Sequence, residues 1–212
     1  MPITITELDV QNDRMSKYYK FHSNIYDLTR WSFLFGRNKV INKIPLQANG
    51  KHRILEVGCG TGKNLVALAE RFPNATIVGI DISAEMLEKA SAATQNYKNI
   101  ELLNTSFHFE LLDEFDCILI SYAMTMMNPG WEFWVSTSAA LLKENGYLAV
   151  VDFNDSKFKW FKQHMSNHHV RMEGHILPVL QYEFNKMTYE VRSAYFGLWS
   201  YFTFIGKKGY EH

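Results

Sequence analysis

Short apolar runs and amphipathic segments alternate along the first half of this chain. An apolar run at 54–57 is followed by apolar residues at helical spacing, and a second apolar run follows at 77–80. The residues at helical spacing are Leu65, Leu68, Ala69 and Phe72. A period near 3.6 between two short apolar runs predicts a helix that connects two buried strands. Residues 53–83 are therefore predicted to form a βαβ unit.

The pattern continues toward the end of the chain. The run at 115–121 is almost continuously apolar, which is typical of a central parallel strand that is buried on both faces. Alternation in the tail predicts a pair of strands around a turn near Phe196 and Gly197. The further predicted strands are 99–104, 115–121, 147–153, 187–192 and 198–205, and the further predicted helices are 84–95 and 131–143. A chain of 212 residues has the length of one α/β domain.

Three glycines separate the first strand from its helix. Gly58, Gly60 and Gly62 have the spacing GxGxG, and a tight turn that a ligand approaches needs positive φ angles and no Cβ atoms. Glu56 precedes them, where a carboxylate would oppose a pyrophosphate but attract a cation. Asp81 ends the next strand, at the position where an acidic residue meets a ribose hydroxyl in such units. These residues favour a positively charged nucleoside over a dinucleotide.

The motif ExGxGTG after a strand, with GIDIS at the end of the next strand, resembles the class I S-adenosylmethionine-dependent methyltransferases. The resemblance implies a doubly wound, mostly parallel, seven-stranded α/β sheet of Rossmann-like type, with an antiparallel terminal strand and helices on both faces. It implies S-adenosyl-L-methionine as the cofactor. The cofactor-binding residues expected on this basis are Tyr26, Arg30, Glu56, Gly58, Cys59, Gly60, Thr61, Gly62, Asn64, Asp81, Ile82, Met86, Ser106, Phe107, Ser121 and Tyr122.

One position departs from the family pattern. Class I methyltransferases commonly carry an Asp after the third strand that binds the adenine amino group, and here that position is Ser106. Phe107 is expected to flank the adenine ring, and backbone groups are expected to contact its edge. The adenine contact therefore depends less on a charged side chain here than in the family.

Three side chains are candidates for the chemistry. Ligands of open parallel sheets lie beyond the carboxyl ends of the strands, which places Tyr122 and Asp152 near the reacting groups. Methyl transfer from a sulfonium is an in-line displacement, so the protein contributes mainly by positioning the acceptor. An amine acceptor must also lose a proton before it attacks. Tyr26, Tyr122 and Asp152 are the candidates to orient the amine or accept that proton.

The flanking motifs narrow the resemblance. IYDLTR and FLFGR at 25–37, ISYAMTM after the fourth strand and VVDF at the fifth resemble the methyltransferase of betaine-lipid synthesis. That resemblance implies successive methylation of the amine of diacylglyceryl-homoserine. Two alternatives remain: a methyltransferase of a small molecule or quinone, and a non-catalytic subunit that binds S-adenosylmethionine. The methyl acceptor is thus predicted to be a lipid or a small molecule.

Composition restricts the partners and the compartment. The formal net charge is zero, so the chain lacks the overall basic character typical of nucleic-acid binding. Cys59 and Cys117 form no disulfide pattern, which favours a reduced, cytoplasmic setting. No signal peptide and no stretch long enough to span a membrane are evident. The sequence does not indicate an oligomeric state.

Two segments flank the predicted core of a single domain spanning 1–212. Residues 13–44 are predicted to form helices that cover the first strand, and 154–186 a cap over the substrate. His164 and His168 in the cap lie one helical turn apart, but no metal site is expected, since no Cys and no HExxH motif accompany them. Aromatic residues interleave with lysines at 157–162, which predicts peripheral contact with the inner membrane surface.

Overall fold

A computed structural model describes residues 34–107, 114–127 and 130–209 of the chain. The strands are β1 (Arg53–Val57), β2 (Thr76–Asp81), β3 (Ile100–Asn104), β4 (Phe115–Ser121), β5 (Leu142–Phe153), β6 (Asn185–Ala194) and β7 (Trp199–Lys207). The helices are α1 (Arg37–Lys43), α2 (Lys63–Arg71), α3 (Ala84–Thr94), α4 (Trp131–Leu141), α5 (Lys159–Asn167) and α6 (Ile176–Glu183). Short 3-10 turns lie at Met124–Met126 and Tyr195–Gly197.

The described strands form one seven-stranded sheet in the order β3-β2-β1-β4-β5-β7-β6. Neighbouring strands from β3 to β5 are parallel, and β7 is antiparallel to both β5 and β6. The carboxyl ends of β1, β2, β4, β5 and β6 therefore lie along one side of the sheet, which we call the carboxyl edge. This arrangement confirms the predicted doubly wound, mostly parallel α/β fold.

Two apolar layers pack on the sheet, one on each face. One layer joins α1 and α2 to side chains of β1 and β5, with Ile41, Leu68 and Val151 buried in it. The other joins α4 and α6 to the opposite face, with Ile120, Trp134 and Leu180 buried. The strands β4 and β5 contribute to both layers, which explains why their sequences are almost continuously apolar.

The junction between α4 and β5 differs from the sequence prediction. The helix was expected to continue to residue 143 and stop at Asn145 and Gly146, but it ends at Leu141. Leu142 is fully buried and pairs with Phe115, so packing on the second layer begins the strand early. Asn145, at φ 63°, lies within a register shift between β4 and β5. Burial of Leu142 thus overrides the local signal of the Asn-Gly pair.

The segment after β5 contains α5 and α6 and packs on the domain. Phe161 and Met165 on the inner side of α5 belong to the same apolar layer as Ile41. An isolated bridge between Asp155 and Glu173 closes the segment around α5. No helix among the described residues has the length and apolarity to cross a membrane. The role of this segment as a substrate cap stays a prediction, and so does the description of the chain as a single domain.

Candidate functional site

The glycine loop joins β1 to α2 at the carboxyl edge. Gly58, Gly60 and Gly62 have φ angles of 68°, 54° and 80°, which side chains with a Cβ rarely adopt. The backbone N–H groups of Gly58 and Cys59 both donate to the carbonyl of Ile80 at 2.9 and 3.0 Å. These bonds hold the loop against the end of β2, as the βαβ prediction requires.

The three glycines meet different surroundings. A Cβ on Gly62 would lie 3.1 Å from the Cα of Ala90, and one on Gly58 would lie 3.2 Å from the Cβ of Ala123. A Cβ on Gly60 would meet no atom within 4 Å. Gly62 and Gly58 therefore allow close packing within the protein, whereas Gly60 faces open space in which a ligand can lie against the backbone.

Glu56 ends in the interior beside this loop. Its side chain is 1% exposed, and Nδ2 of Asn64 donates to its Oε1 at 2.7 Å. The second carboxyl oxygen, Oε2, is buried and has no hydrogen-bond partner. Burial raises the pKa of Glu56 to about 8, although the Asn64 hydrogen bond and the charge of Arg37 act in the opposite direction. An acceptor atom that lacks a donor is costly unless a ligand supplies one.

Arg37 is a residue that the sequence analysis did not select. It begins α1, directly after Gly36 at φ 82°, and its positive charge acts on Glu56. The sequence prediction named Arg30, from the same aromatic segment at 25–37, instead. Arg30 and Tyr26 lie outside the described residues, so their roles stay predictions. The string FGR, in which Arg37 directly follows Gly36, was the sequence signal that could have identified Arg37.

Asp81 organises the other side of the loop. Its Oδ2 accepts from the N–H of Gly60 at 2.8 Å, and its Oδ1 accepts from the N–H of Ser83 at 2.9 Å. The hydroxyl of Ser83 in turn accepts from the N–H of Met86 at 3.3 Å and caps α3 as predicted. Asp81 therefore connects the glycine loop to the start of α3, at the place where a ribose is expected.

Tyr122 follows β4 in an unusual conformation. Its φ of 55° is in the left-handed region, where a non-glycine residue is uncommon. The side chain is 1% exposed, its hydroxyl donates to the carbonyl of Phe35 at 2.8 Å, and its ring packs edge-on against Phe153. These contacts give Tyr122 a positioning role between the end of β5 and the segment before α1. Its expected part in methyl transfer stays a prediction.

Asp152 near the end of β5 is fully buried. Its carboxylate accepts from the hydroxyl and the N–H of Thr125 at 2.5 and 3.2 Å, and from the N–H of Phe153 at 2.8 Å. Burial raises the pKa of Asp152 to about 6, against the opposing effect of these donors. The geometry assigns it to holding the Met124–Met126 turn, and its role as a proton acceptor stays a prediction.

The remaining candidates lie around the same loop or beyond the ends of β2, β3 and β4. Phe107 is buried and packs edge-on against Trp134, so its ring is part of the second apolar layer. The thiol of Cys59 is buried, and burial raises its pKa above the ordinary range. The half-buried candidates are Thr61, Ile82, Ser106 and Ser121, and Met86 is buried. Their contacts with a cofactor stay predictions.

An aromatic group lies beside Tyr122 and was not predicted. The ring of Phe35 contacts those of Tyr195, Trp199 and Tyr201, with centroids 5.7 to 6.1 Å apart. Phe35 and Tyr195 are 40% and 46% exposed, so part of this group faces solvent. Sequence reasoning missed it because its members come from segments that are more than 150 residues apart in the chain.

The histidines of the predicted cap are not part of a cluster of metal ligands in the described part of the chain. His164 and His168 have ring centroids 5.0 Å apart on α5. Within residues 34–107, 114–127 and 130–209, no group of at least three His, Cys, Asp or Glu side chains has the arrangement of a metal site.

Comparison with known proteins finds similarity to methyltransferases over part of the chain. Residues 54–146 match the model of a family described as methyltransferase domain. The trans-aconitate 2-methyltransferase of Deinococcus radiodurans is 37% identical over 98 residues, which are 46% of this chain and 36% of that protein. The demethylmenaquinone methyltransferase of Staphylococcus carnosus is 24% identical over 159 residues, 72% of this chain and 66% of that protein.

Solved structures share the fold at low sequence identity. The N-methyltransferase NodS from Bradyrhizobium japonicum, in complex with S-adenosyl-L-homocysteine, has a TM-score of 0.66 at 14% identity, covering 82% of this chain and 86% of its own. A chain from the complex of the Haloferax volcanii Trm112 methyltransferase activator with a second protein has a TM-score of 0.75 at 14% identity, covering 93% and 98%. The fold is thus that of the class I methyltransferases.

Residues 54–146 are thus similar to a methyltransferase domain, and the described residues share the fold of solved methyltransferases. The alignments with the first three curated relatives span only 36%, 24% and 15% of the lengths of those proteins.

Proposed function

We propose that this chain uses S-adenosylmethionine to methylate the amine of a lipid headgroup. The observation that carries the methyltransferase part is the unpartnered Oε2 of the buried Glu56, next to the open face of Gly60. A buried carboxylate oxygen without a donor suits an ammonium group better than a phosphate. The free Oε2 of Glu56 and the open face of Gly60 thus favour a cationic nucleoside over a nucleotide as the ligand of this loop.

The residues around the loop fit such a cofactor. In this proposal the free Oε2 of Glu56 accepts from the ammonium of the amino-acid moiety, and Asp81 accepts from a ribose hydroxyl. Gly60 leaves the backbone open to close approach. The cofactor supplies an electrophilic methyl group on a sulfonium. Glu56 and Asp81 place carboxyl groups, which accept hydrogen bonds, on both sides of the loop, as suits a ligand with positive charge.

The chain itself contributes binding and orientation. Asn64 holds Oε1 of Glu56 and thereby fixes the direction of the free oxygen. Asp81 holds the N–H of Gly60 and so sets the shape of the loop. Tyr122 connects the end of β4 to Phe35 and keeps the aromatic group beside the site. Correct placement of the acceptor is the main catalytic contribution that in-line transfer requires.

The aromatic group supports an amine acceptor. Rings attract a methylated ammonium by about 0.5 to 2 kcal/mol each, depending on exposure. Phe35 and Tyr195 are partly exposed beside Tyr122, so successive methylation products would find ring faces there. Together with the motif resemblance, this favours diacylglyceryl-homoserine as the acceptor and its trimethylated betaine lipid as the product.

A quinone ring is the second candidate acceptor. The alignment with the demethylmenaquinone methyltransferase of Staphylococcus carnosus covers 72% of this chain, whereas the alignment with the trans-aconitate 2-methyltransferase of Deinococcus radiodurans covers 46%. A quinone ring would also stack on Phe35. The acceptor, in that case, would be methylated on carbon and would retain no positive charge.

A transfer assay distinguishes these acceptors. The protein is incubated with radiolabelled S-adenosylmethionine and lipid extract that contains diacylglyceryl-homoserine, demethylated quinone or soluble amines, and the products are identified by mass. We expect label in lipid that gains up to three methyl groups. Label only in quinone or in a soluble amine would refute the lipid proposal. Binding of S-adenosylhomocysteine without turnover on any acceptor would identify a non-catalytic subunit instead.

Phe35 provides a matched pair of variants for the same assay. Phe35→Leu removes the ring, whereas Phe35→Trp keeps one. We expect Phe35→Leu to raise the KM for the partly methylated lipid at least about twofold, the lower end of a ring contribution, and Phe35→Trp to preserve it. Equal KM values in both variants would remove the aromatic group from the acceptor site.

A further inference from the structure

We propose that the carboxyl edge carries a membrane-docking surface formed by Phe158, Trp160 and Phe196 with Lys157 and Lys159, and that its partner is an anionic lipid bilayer. We call these five residues the docking patch. They come from two segments that are separated in the chain, the start of α5 and the turn between β6 and β7.

A chain of hydrogen bonds holds the two segments together. The N–H of Asn154 donates to the carbonyl of Ser200, and the N–H of Ser200 donates to the carbonyl of Asp155, at 2.8 and 2.7 Å. The hydroxyl of Ser156 donates to the carbonyl of Leu198 at 2.6 Å and accepts from the N–H of Phe158 at 3.1 Å. The start of α5 therefore lies beside the β6–β7 turn in a defined arrangement.

The turn itself presents an apolar side chain outward. Tyr195 and Phe196 both have positive φ angles, 47° and 55°, before Gly197 at 90°. The side chain of Phe196 is fully exposed, at 112% of its reference area. A large apolar residue in a left-handed conformation gains neither backbone stability nor packing here. Strained backbone of this kind is concentrated at functional sites, which supports a binding role for the β6–β7 turn.

The start of α5 adds two more exposed rings and positive charge. Phe158 and Trp160 are 45% and 64% exposed, whereas Phe161 on the other side of the helix is buried. Lys157 and Lys159 are exposed, and no acidic side chain of the described residues forms an ion pair with either. Lys162 is paired with Asp155, which reduces its contribution. The patch thus combines rings with net positive charge, which suits the interface of an anionic membrane.

The position of the patch fits the proposed chemistry without depending on it. β5 and β6 end at the same edge as β1, so the docking patch and the glycine loop share the carboxyl edge. Docking there would bring that edge toward lipid headgroups. The structure offers an internal comparison, because Tyr182 is 80% exposed on α6, which leads into the amino end of β6 on the opposite edge.

Vesicle flotation with the full chain tests the proposal. Vesicles of phosphatidylcholine alone are compared with vesicles that contain phosphatidylglycerol at about one third, a composition chosen to provide the anionic surface that basic residues need. We expect flotation with the anionic vesicles and little with the neutral ones. The double variant Trp160→Ser, Phe196→Ser should weaken this binding at least about tenfold, since both rings lose their burial in the interface.

The charges are tested separately. Lys157→Gln with Lys159→Gln should weaken binding to anionic vesicles about fivefold per lysine, the fold-change that corresponds to about 1 kcal/mol for each basic residue. Tyr182→Ser is the matched control for loss of an exposed ring, and it should float as the wild type does. The affinity for S-adenosylhomocysteine should be the same in all these variants, which separates docking from the proposed function.

Four outcomes would overturn the proposal. They are an absence of flotation with both vesicle types, equal flotation with both, unchanged flotation of the double variant, and an equal loss in Tyr182→Ser. Light scattering without vesicles provides a fifth, because a dimer that dissociates in the double variant would identify a second copy of the chain as the partner. If docking fails while methyl transfer to dispersed lipid persists, the proposed function stands without it.

Discussion

Asn64 donates its amide hydrogen to Oε1 of Glu56 at 2.7 Å, and this bond leaves Oε2 of a buried carboxyl without a donor. The free oxygen costs stability in the absence of ligand, because a buried polar atom without a partner loses its hydration. The same oxygen is prepared for a cationic ligand. This relationship between Asn64 and Glu56 is the basis of the first prediction.

Glu56 should make stability depend on pH in a defined direction. The pKa of Glu56 is about 8 in the folded protein, above its ordinary value of 4.5, so the folded chain binds more protons than the unfolded chain between these values. The free energy of unfolding should therefore fall as pH rises from about 5 to about 9. Glu56→Gln should be more stable than the wild type at pH 9, by at least about 2 kcal/mol, and close to it at pH 5.

Ligand binding provides the complementary measurement. At pH 7 most of the Glu56 carboxyl is protonated, so a ligand with an ammonium group should release up to about one proton when it binds. Calorimetry of S-adenosylhomocysteine in buffers of different ionisation enthalpy measures this number. Glu56→Gln should bind more weakly and release no proton. The same proton release in both proteins would exclude Glu56 from the ligand site.

Gly60 and Gly62 should respond differently to the same substitution. Gly60→Ala adds a methyl group to open space, so the fold should survive while the affinity for S-adenosylhomocysteine falls at least about tenfold. Gly62→Ala brings the new Cβ within 3.1 Å of the Cα of Ala90, so it should lower the unfolding temperature. Gly209→Ala, at φ 106° with nothing nearby, is the control for backbone strain. Unchanged affinity in Gly60→Ala would place the ligand elsewhere.

Asp81 should contribute to the affinity for S-adenosylhomocysteine both through its charge and through the shape that it gives the glycine loop. Asp81→Ala removes the acceptors of the Gly60 and Ser83 N–H groups, so the affinity for S-adenosylhomocysteine should fall by about 1.5 to 3 kcal/mol. Asp81→Asn can keep one of these acceptors and should lose less. Calorimetry of the three proteins under one condition measures the difference. Equal affinity in all three would contradict a nucleoside contact at Asp81.

Tyr122→Phe tests whether the hydroxyl acts on the reaction. The variant loses the hydrogen bond to the carbonyl of Phe35 but keeps the ring contact with Phe153. We expect kcat to fall by about tenfold, with the affinity for S-adenosylhomocysteine almost unchanged, because a misplaced Phe35 segment disturbs the transition state more than the ground state. Full activity would reduce Tyr122 to a packing residue. Tyr26→Phe is the corresponding test in the segment outside the described residues.

Asp152→Asn separates structure from proton transfer. Loss of a buried acceptor for Thr125 should lower the free energy of unfolding by about 1 to 3 kcal/mol. Thr125→Val, which removes the hydroxyl donor, is the matched variant and should also be destabilised. If Asp152 accepts the proton of the amine, only Asp152→Asn should abolish the acidic limb of the kcat profile near pH 6. Identical pH profiles in both variants would assign Asp152 to structure alone.

Local sequence patterns were sufficient for most of the sheet. The bounds of β4 agree with the apolar run at 115–121, and the cap of α3 at Ser83 follows from its side-chain chemistry. The glycine loop was readable because each of its three glycines adopts a positive φ angle that residues with a Cβ rarely adopt. Signals confined to a few neighbouring residues survive in the folded protein when packing does not oppose them. At Leu142 packing did oppose them, and the helix ended early.

What only the tertiary structure decided involves residues that are distant in the chain. The sequence by itself determined the α/β fold, the glycine loop and the acidic residues at Glu56 and Asp81, since strand and turn signals are local. It did not link Arg37 to Glu56, because a charge interaction between a helix and a strand leaves no periodic pattern. It grouped Phe161 with Trp160, but only packing buries the first and exposes the second. Those assignments depend on which residues folding brings together, and residue type alone does not reveal them.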